Sequence, residues 1–341
     1  MVWKGIFIAC LTLVVTTRAV ADDEKMPPEP SGGSSVRSMG EGSIELVAAA
    51  NPHAAKAGAD ILAAGGSAID AAIGAQLVLN LVEPQSSGIG GGAFLLYFDS
   101  TTNSLASYDG RETAPASATA TMFLREDGST PGYIEALEGG RAVGVPGLLR
   151  MLELAHSASG KLSWEELFVP AIELANTGFS ISPRLNSLVS KVPTLARSPS
   201  AASYFFDFNQ NPKGVGKRLF NREFSQTLRV IAAGGAKAFY RGPIARDIVT
   251  AVRNAQVNPG VLSMDDFTQY RAKERPPVCL EHQRFLVCGA GPPSSGGLAV
   301  LQILGLLERV GIDQLEPWSI EAVHLFLEAS RLASVVRVSV S

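Results

Sequence analysis

The chain has 341 residues, 46% of them apolar and 18% charged, which is the composition of a globular protein with room for one large domain or two. Its formal net charge is −3 and the sequence has no basic cluster, which argues against nucleic acid as a partner. The histidines are scattered and no zinc-type cysteine spacing occurs, so we predict neither a metal nor a cofactor.

The first residues have the pattern of an export signal. In residues 1–21, Lys4 gives a positive start, residues 5–15 form an apolar core, and small residues lead to Ala21. A membrane-spanning helix is less favoured, because a span needs about 20 apolar residues. We therefore expect cleavage after Ala21 and a secreted or periplasmic protein. Residues 22–42, rich in Pro, Gly, Ser and acidic residues, predict a disordered linker.

Two alanine-rich helices are predicted after a first strand at residues 44–50. Asn51 has the character of an N-cap and Pro52 of a first helical residue, so a helix should run to about residue 64. A capping-box pattern then predicts a second helix over residues 67–82. The small side chains of both helices indicate a thin, buried layer packed against a sheet.

Residues 84–115 form the most distinctive stretch of the sequence. The glycine-rich run at 88–92 allows tight turns and close backbone approach. Residues 94–98 and 104–108 then predict a β-hairpin, which delivers Arg111 just beyond a strand end. A dinucleotide fingerprint would open a helix instead, and a P-loop would need a lysine, so neither fits.

Arg111 is the candidate binding residue of this stretch. A guanidinium beside a glycine-rich corner suits a carboxylate ligand, because its planar fork can donate two parallel hydrogen bonds. The alternative is an ordinary ion pair or structural neighbourhood formed by Arg111 and Glu112, and spacing alone favours this second interpretation.

Later in the chain, two features have alternative interpretations. Cys279 and Cys288 flank a predicted hairpin turn, and they would face each other if the turn centres on residues 283 and 284; a disulfide and two free thiols are equally compatible with the sequence. Ser294 and Ser295 invite a serine-nucleophile interpretation, but they lack GxSxG and SxxK patterns, so we predict a tight loop before a helix.

Several separate motifs, in one order, resemble the large-subunit portion of the γ-glutamyltransferases, also called glutathione hydrolases. The resemblance spans residues 46–333 and is carried by residues 51–84, 87–94, 109–115, 143–147, 292–297 and 328–333. It implies an N-terminal-nucleophile hydrolase fold, an α/β αββα sandwich of two sheets between helices. The sandwich would be incomplete here, because the small-subunit half is expected to be missing.

The resemblance also implies a reaction. Family members cleave the γ-glutamyl amide of glutathione and related compounds, and pass the acyl group to water or to an amino acid or peptide. The nucleophile is a threonine that self-cleavage makes N-terminal, with its α-amino group as the base. By motif, Arg111 corresponds to the residue that binds the substrate's α-carboxylate. No metal or other cofactor is implied.

The end of the chain departs from the family pattern. Residues 334–341 fit poorly onto the helix predicted before them, and no processing threonine or small subunit follows. We therefore expect a large-subunit-like domain at 43–333 with an aberrant tail at 334–341, no catalytic residue on this chain, and an absent small-subunit partner. Two alternatives remain open, namely a β-lactam (cephalosporin) acylase relative and a non-catalytic remnant that only binds γ-glutamyl compounds.

Overall fold

A computed structural model describes residues 41–42 and 44–340, with side chains described to residue 334. The predicted signal peptide (1–21) lies outside the described residues, and so does the predicted linker except for residues 41 and 42. In the described part the α-helices are α1 (Pro52–Ala63), α2 (Ala68–Val82), α3 (Tyr133–Leu137), α4 (Leu148–Ser159), α5 (Val169–Thr177), α6 (Pro183–Lys191), α7 (Pro199–Phe205), α8 (Arg222–Gly234), α9 (Ala236–Tyr240), α10 (Pro243–Arg253), α11 (Met264–Gln269), α12 (Gly296–Arg309) and α13 (Ile320–Val340).

The strands form three small antiparallel sheets in the described residues. They are β1 (Ala93–Asp99), β2 (Ser104–Gly110), β3 (Phe179–Ser180), β4 (Arg218–Leu219), β5 (Lys273–Arg275), β6 (Val278–His282) and β7 (Phe285–Gly289). The largest sheet has the order β1-β2-β5. Its predicted hairpin is confirmed, with Phe94 opposite Asp109 and Asp99 opposite Ser104. β5 pairs with the other edge of β2, which brings a segment from far along the chain beside the residues that lead to Arg111.

The predicted helix starts are confirmed at both alanine-rich helices. Asn51 caps α1 by accepting the backbone N–H of His53 at 3.0 Å. Ser67 and Asp70 form a reciprocal capping box at the start of α2. α2 is buried along most of its length, but its main neighbours are α1, α4 and α5. The layer is therefore buried as expected, but it packs chiefly on helices where the sequence analysis predicted a sheet.

The predicted first strand at residues 44–50 is wrong. This segment has no sheet partner among the described residues, and Ile44 and Leu46 are 92% and 65% exposed. The segment is apolar except for Glu45 and has the length of a strand, but a strand forms only where a neighbour supplies hydrogen bonds. The segment is an extended lead into α1.

The main core and the C-terminal elements differ in burial. The large core cluster draws its buried residues from α1 onward to Tyr270. After it, α12 packs on the β6–β7 hairpin and on α13, and this C-terminal group leaves large apolar side chains exposed. Among them, Trp318 is 92% exposed and Phe326 is 49% exposed.

The C-terminal helix is longer than the sequence analysis predicted. α13 continues through Val340, whereas the helical pattern was expected to end at residue 333. The apolar residues of α13 are spread around the helix. A prediction that follows a single apolar face therefore ends the helix before its true end at Val340. The predicted domain limits at 43, 333 and 334 stay predictions.

The two cysteines of the hairpin are bonded. Cys279 and Cys288 are paired across β6 and β7 and form a disulfide. This selects the disulfide over the two free thiols that the sequence left equally open. Within residues 41–42 and 44–340, no helix has the combination of length and apolar character needed to cross a membrane.

Candidate active site

The glycine-rich corner is a tight turn that holds the start of α4. Gly91 donates its N–H to the carbonyl of Gly88 at 3.0 Å. The carbonyl of Gly91 accepts the backbone N–H groups of Gly147 and Leu148, each at 3.0 Å. The first N–H groups of a helix have no partner within the helix, and here the corner supplies one. α4 and the corner are thus positioned by the same backbone atom.

Two glycines are required by close approach. A Cβ on Gly92 would lie 2.5 Å from Glu112 Oε2 and 2.5 Å from the Gly110 carbonyl oxygen. A Cβ on Gly147 would collide with the Gly110 carbonyl and with the hydroxyl of Tyr270. Only a residue without a side chain lets these backbones pack this closely.

The backbone of Arg111 is fixed from both sides. Asp109 Oδ1 accepts the Arg111 N–H at 2.8 Å, and the Tyr270 hydroxyl donates to the Arg111 carbonyl at 2.7 Å. Asp109 is itself held, because its Oδ2 accepts from Arg275 Nε at 2.6 Å. Burial raises the pKa of Tyr270, and the nearby carboxylates of Asp109 and Glu112 raise it further, so the phenol stays a neutral donor.

The side chain of Arg111 remains open to solvent. It is 60% exposed, and its Nη1 lies 3.2 Å from Glu112 Oε2 without hydrogen-bond geometry. An exposed pair of this kind contributes little to stability. The ion pair considered in the sequence analysis therefore exists, but it leaves donors of the guanidinium available to a ligand.

Arg111 lines a cavity of about 710 Å³ together with the glycine-rich corner. The remaining wall is contributed by α2, the loop after it, the start of α4, and Arg184 of α6. The lining residues are Ala50, Gln76, Leu79, Glu83, Pro84, Ser86, Ser87, Gly88, Gly90, Gly91, Gly92, Ala93, Arg111, Glu112, Leu148 and Arg184. Its size is typical of small-molecule sites.

One wall of this cavity is organised by a buried carboxylate. Glu83 is 3% exposed; its Oε1 accepts from Asn51 Nδ2 at 2.8 Å, and its Oε2 accepts from Arg184 Nη1 at 3.1 Å. Gln85 Nε2 also donates to Oε2 at 2.5 Å. A buried charge needs such partners, and these ties fix the loop that carries Ser86 and Ser87.

A second polar cluster joins α2 to the corner. Gln76 Nε2 donates to Ser87 Oγ at 2.7 Å and to Asn80 Oδ1 at 2.9 Å, and Ser87 donates to Asn80. Sequence reasoning did not single out these residues. The signal was present, since Gln76 and Asn80 are the two polar residues of α2 beyond its first turn, and their spacing of four places them on one face.

The other sequence candidates lie elsewhere. Ser294 donates its backbone N–H to the Gly291 carbonyl at 3.0 Å, in the predicted tight loop before α12. Neither Ser294 nor Ser295 lines the cavity beside Arg111. In the part of the chain that the structure describes, no cluster of three or more His, Cys, Asp or Glu side chains is arranged to hold a metal.

Residues 54–340 match the sequence profile of the gamma-glutamyltranspeptidase family. Three individual proteins are also similar to this chain. The glutathione hydrolase proenzyme of Bacillus subtilis (strain 168) is 33% identical over 337 residues, which make up 99% of this chain and 57% of that protein. The crystal structure of Helicobacter pylori gamma-glutamyltranspeptidase aligns with a TM-score of 0.82 at 30% identity, covering 87% of this chain and 84% of that chain. The Acylase ACY 1 proenzyme of Pseudomonas sp. (strain V22) is 34% identical over 299 residues, 86% of this chain and 52% of that protein.

The likeness to the Helicobacter structure defines the class of protein as an N-terminal-nucleophile hydrolase and confirms the predicted αββα fold class. The chain belongs to the gamma-glutamyltranspeptidase family, so the resemblance inferred from the motifs is confirmed as well. The chain spans 57% and 52% of the lengths of the two curated relatives.

Proposed function

We propose that this chain is the part of a gamma-glutamyltransferase, or glutathione hydrolase, that binds the α-carboxylate of γ-glutamyl substrates through Arg111. One observation carries the proposal. Arg111 has a backbone locked by Asp109 and Tyr270, yet its guanidinium is 60% exposed and lines a 710 Å³ cavity beside the glycine-rich corner. A side chain that recognises a carboxylate needs a rigidly held backbone and guanidinium N–H groups that are free to donate, and Arg111 has both.

In the proposed reaction, a threonine hydroxyl attacks the γ-carbonyl carbon of glutathione. Its proton passes through the threonine's own α-amino group to the leaving amine, and a γ-glutamyl ester forms as the amide bond breaks. Water or the amine of an amino acid or peptide then attacks the ester, which releases the threonine hydroxyl. Backbone N–H groups stabilise the oxyanion in both steps. The threonine would come from a small-subunit partner.

The surface of this chain supports such a partner. In the described residues β1 pairs only with β2, so its outer edge offers free backbone hydrogen-bonding groups. Leu96 and Phe98 on this strand are 42% and 58% exposed, and α13 exposes Phe326 and Leu327 at 49% and 59%. Large apolar side chains exposed in pairs on one element are compatible with a surface that another polypeptide covers. The relatives described as proenzymes are consistent with this arrangement.

The test measures glutamate release from glutathione by the chain alone and after addition of a matching small subunit. We expect release only from the mixture. Arg111→Ala should raise the Michaelis constant strongly, because a bidentate charge-assisted contact is worth about 2–4 kcal/mol. Arg111→Lys should keep the charge and still lose the fork.

Arg253→Ala is the matched control for this experiment. Arg253 is an exposed arginine at the end of α10, outside the cavity. If both alanine variants have the same Michaelis constant as the parent, Arg111 does not bind the substrate. If the chain alone releases glutamate, the nucleophile lies within these residues and the two-subunit mechanism is wrong.

Acylase activity is the second candidate, with a β-lactam side chain as the proposed substrate. The likeness to the Acylase ACY 1 proenzyme supports an acylase. The γ-glutamyltransferase and the acylase should bind different competitors. Arg111 favours substrates with a free carboxylate, so γ-glutamyl compounds should displace a bound probe more effectively than acyl side chains. The reverse order would favour the acylase. Saturable glutathione binding without turnover, even with a small subunit, would indicate a non-catalytic remnant.

We also propose that the protein acts in a secreted or periplasmic compartment. Residues 1–21 have the signal pattern, and the Cys279–Cys288 disulfide suits an oxidising environment. N-terminal sequencing of protein collected outside the cytoplasm should begin at Asp22. Retention of the full N-terminus inside the cell would contradict export.

A further inference from the structure

A second cavity, of about 340 Å³, is surrounded by arginine side chains. α4 supplies residues three and four apart, which lie on one face of the helix. The loops after α9 and α11 supply the opposite wall. The lining residues are Arg150, Glu153, Leu154, Ser157, Arg241, Arg271 and Ala272. None of them lines the cavity beside Arg111.

Arg150 is fixed at the base of this cavity. Its Nη1 donates to Glu153 Oε2 at 2.8 Å, and its guanidinium carbon lies 4.7 Å from the centre of the Tyr240 ring. The side chain is only 19% exposed, and its Nε is buried without a hydrogen-bond partner in the described structure. The second oxygen of Glu153 accepts the Ala236 N–H at 3.0 Å. Glu153 is the only carboxylate among the described lining residues, and both of its oxygens are already occupied.

The other two arginines have donors to spare. Arg271 uses Nη1 to donate to the carbonyls of Thr268 and Tyr270, at 2.8 and 2.7 Å. The guanidinium of Arg241 has no hydrogen bond or ion pair to any residue that the structure describes. Three positive charges and one negative charge thus line one small cavity. Like charges that face the same cavity repel one another, and an anion bound between them would relieve this repulsion.

We propose that this cavity binds a small doubly charged oxyanion of the phosphate type. The net charge of the lining side chains is +2, which matches a dianion. Planar guanidinium groups bind tetrahedral phosphate oxygens through paired hydrogen bonds. The volume is at the lower end of the range for ligand sites, which favours a compact ion over an extended molecule. This site is independent of the proposed γ-glutamyl site.

The test titrates inorganic phosphate into the full chain by calorimetry at fixed ionic strength, with chloride as the balancing anion. We expect saturable binding with one site. Arg241→Gln should weaken it about tenfold or more, since a charge-assisted contact corresponds to at least one factor of ten. Arg241 is exposed, so this substitution leaves the fold intact. Arg271→Gln should weaken binding as well.

Arg229→Gln is the matched control, because Arg229 is an exposed arginine on α8 outside this cavity. It should bind phosphate as the parent does. The proposal is overturned if the parent shows no saturable binding, if the Arg241 and Arg229 variants behave alike, or if the monoanion acetate binds as tightly as phosphate.

Discussion

The hydroxyl of Tyr270 donates a 2.7 Å hydrogen bond to the backbone carbonyl of Arg111. The Tyr270 ring stacks on Tyr240 with 6.0 Å between centroids and 12° between planes. Tyr240 in turn donates from its own hydroxyl to the Pro146 carbonyl at 2.7 Å. The two stacked tyrosines thus hold two chain segments next to the glycine-rich corner, one at Arg111 and one at Pro146. Tyr270 contacts Arg111 through the backbone carbonyl.

Replacing Tyr270 with phenylalanine removes the hydrogen bond to the Arg111 carbonyl and keeps the ring, so this variant measures the hydrogen bond alone. The Arg111 carbonyl would lose its donor, so we expect the free energy of unfolding to fall by about 1–2 kcal/mol. Urea denaturation measures this change. Tyr133→Phe is the control, because Tyr133 is 50% exposed, and it should change stability very little. Equal losses in both variants would mean that the Tyr270 hydroxyl has no particular role.

Gly92→Ala should disrupt the corner. The new methyl group would lie 2.5 Å from both Glu112 Oε2 and the Gly110 carbonyl, so the backbone must shift, at about 1–3 kcal/mol. Thermal denaturation should show a lower midpoint. Gly88→Ala belongs to the same loop, but its Cβ would meet no atom within 4 Å, so it should be tolerated. A Gly92 variant as stable as the Gly88 variant would contradict the close packing described for the corner.

Protonation of Asp70 at acidic pH should lower the free energy of unfolding. Its buried Oδ2 accepts N–H groups from Ser67, Lys161 and Leu162 at 2.8, 2.8 and 3.1 Å. Burial alone would raise the pKa of Asp70, but these hydrogen bonds outweigh it and leave the pKa lowered. The unfolded chain therefore binds the proton more tightly. The stabilisation is fully present above about pH 4 and is lost as the pH falls through the lowered pKa.

The measurement is stability as a function of pH for the parent and for Asp70→Asn. The variant should lose about 1–3 kcal/mol at neutral pH and show a smaller decrease below pH ~4. Asp60→Asn is the control, since Asp60 is an exposed residue paired only with Lys56 one turn away. Parallel acid profiles for the parent and the Asp70 variant would show that another group controls the transition.

The Cys279–Cys288 disulfide should stabilise its own hairpin rather than the main core. It closes a short loop, for which the chain-entropy contribution is about 2–3 kcal/mol. The doubly substituted chain Cys279→Ser, Cys288→Ser should exchange amide hydrogens faster in β6 and β7, while α2 keeps its protection. Faster exchange in α2 to the same extent would show that the hairpin and the core unfold as one unit.

Local chemistry explains what the sequence predicted correctly. The caps at Asn51 and Ser67 are fixed within four residues, and the β1–β2 hairpin is fixed by its turn. The sequence analysis predicts no helix at α6 or α7, although Pro183 and Pro199 are compatible with helix starts. Both prolines occupy the start of a helix, where their missing N–H is not needed.

Most of the candidate site could not be predicted from spacing. Arg111 was found through its motif, but Glu83 and Arg184 are 101 residues apart in the chain, and one sequence carries no record of such a contact. The same is true of Arg275, which reaches Asp109 across 166 residues because β5 pairs with β2. The arginine cavity likewise assembles from three separated segments.

These separations determine when the segment around Arg111 can be fixed during synthesis. Arg111, Asp109 and Ala116 are held by Tyr270, Arg275 and Asp266, at separations of 159, 166 and 150 residues. A nascent chain that has emerged only as far as α10 has the hairpin and its arginine but none of these partners. Contacts of such long range form late and slow the folding rate. The helices of the first half can therefore pack on the ribosome, whereas the hydrogen bonds from Tyr270 and Arg275 cannot form until β5 has left the exit tunnel.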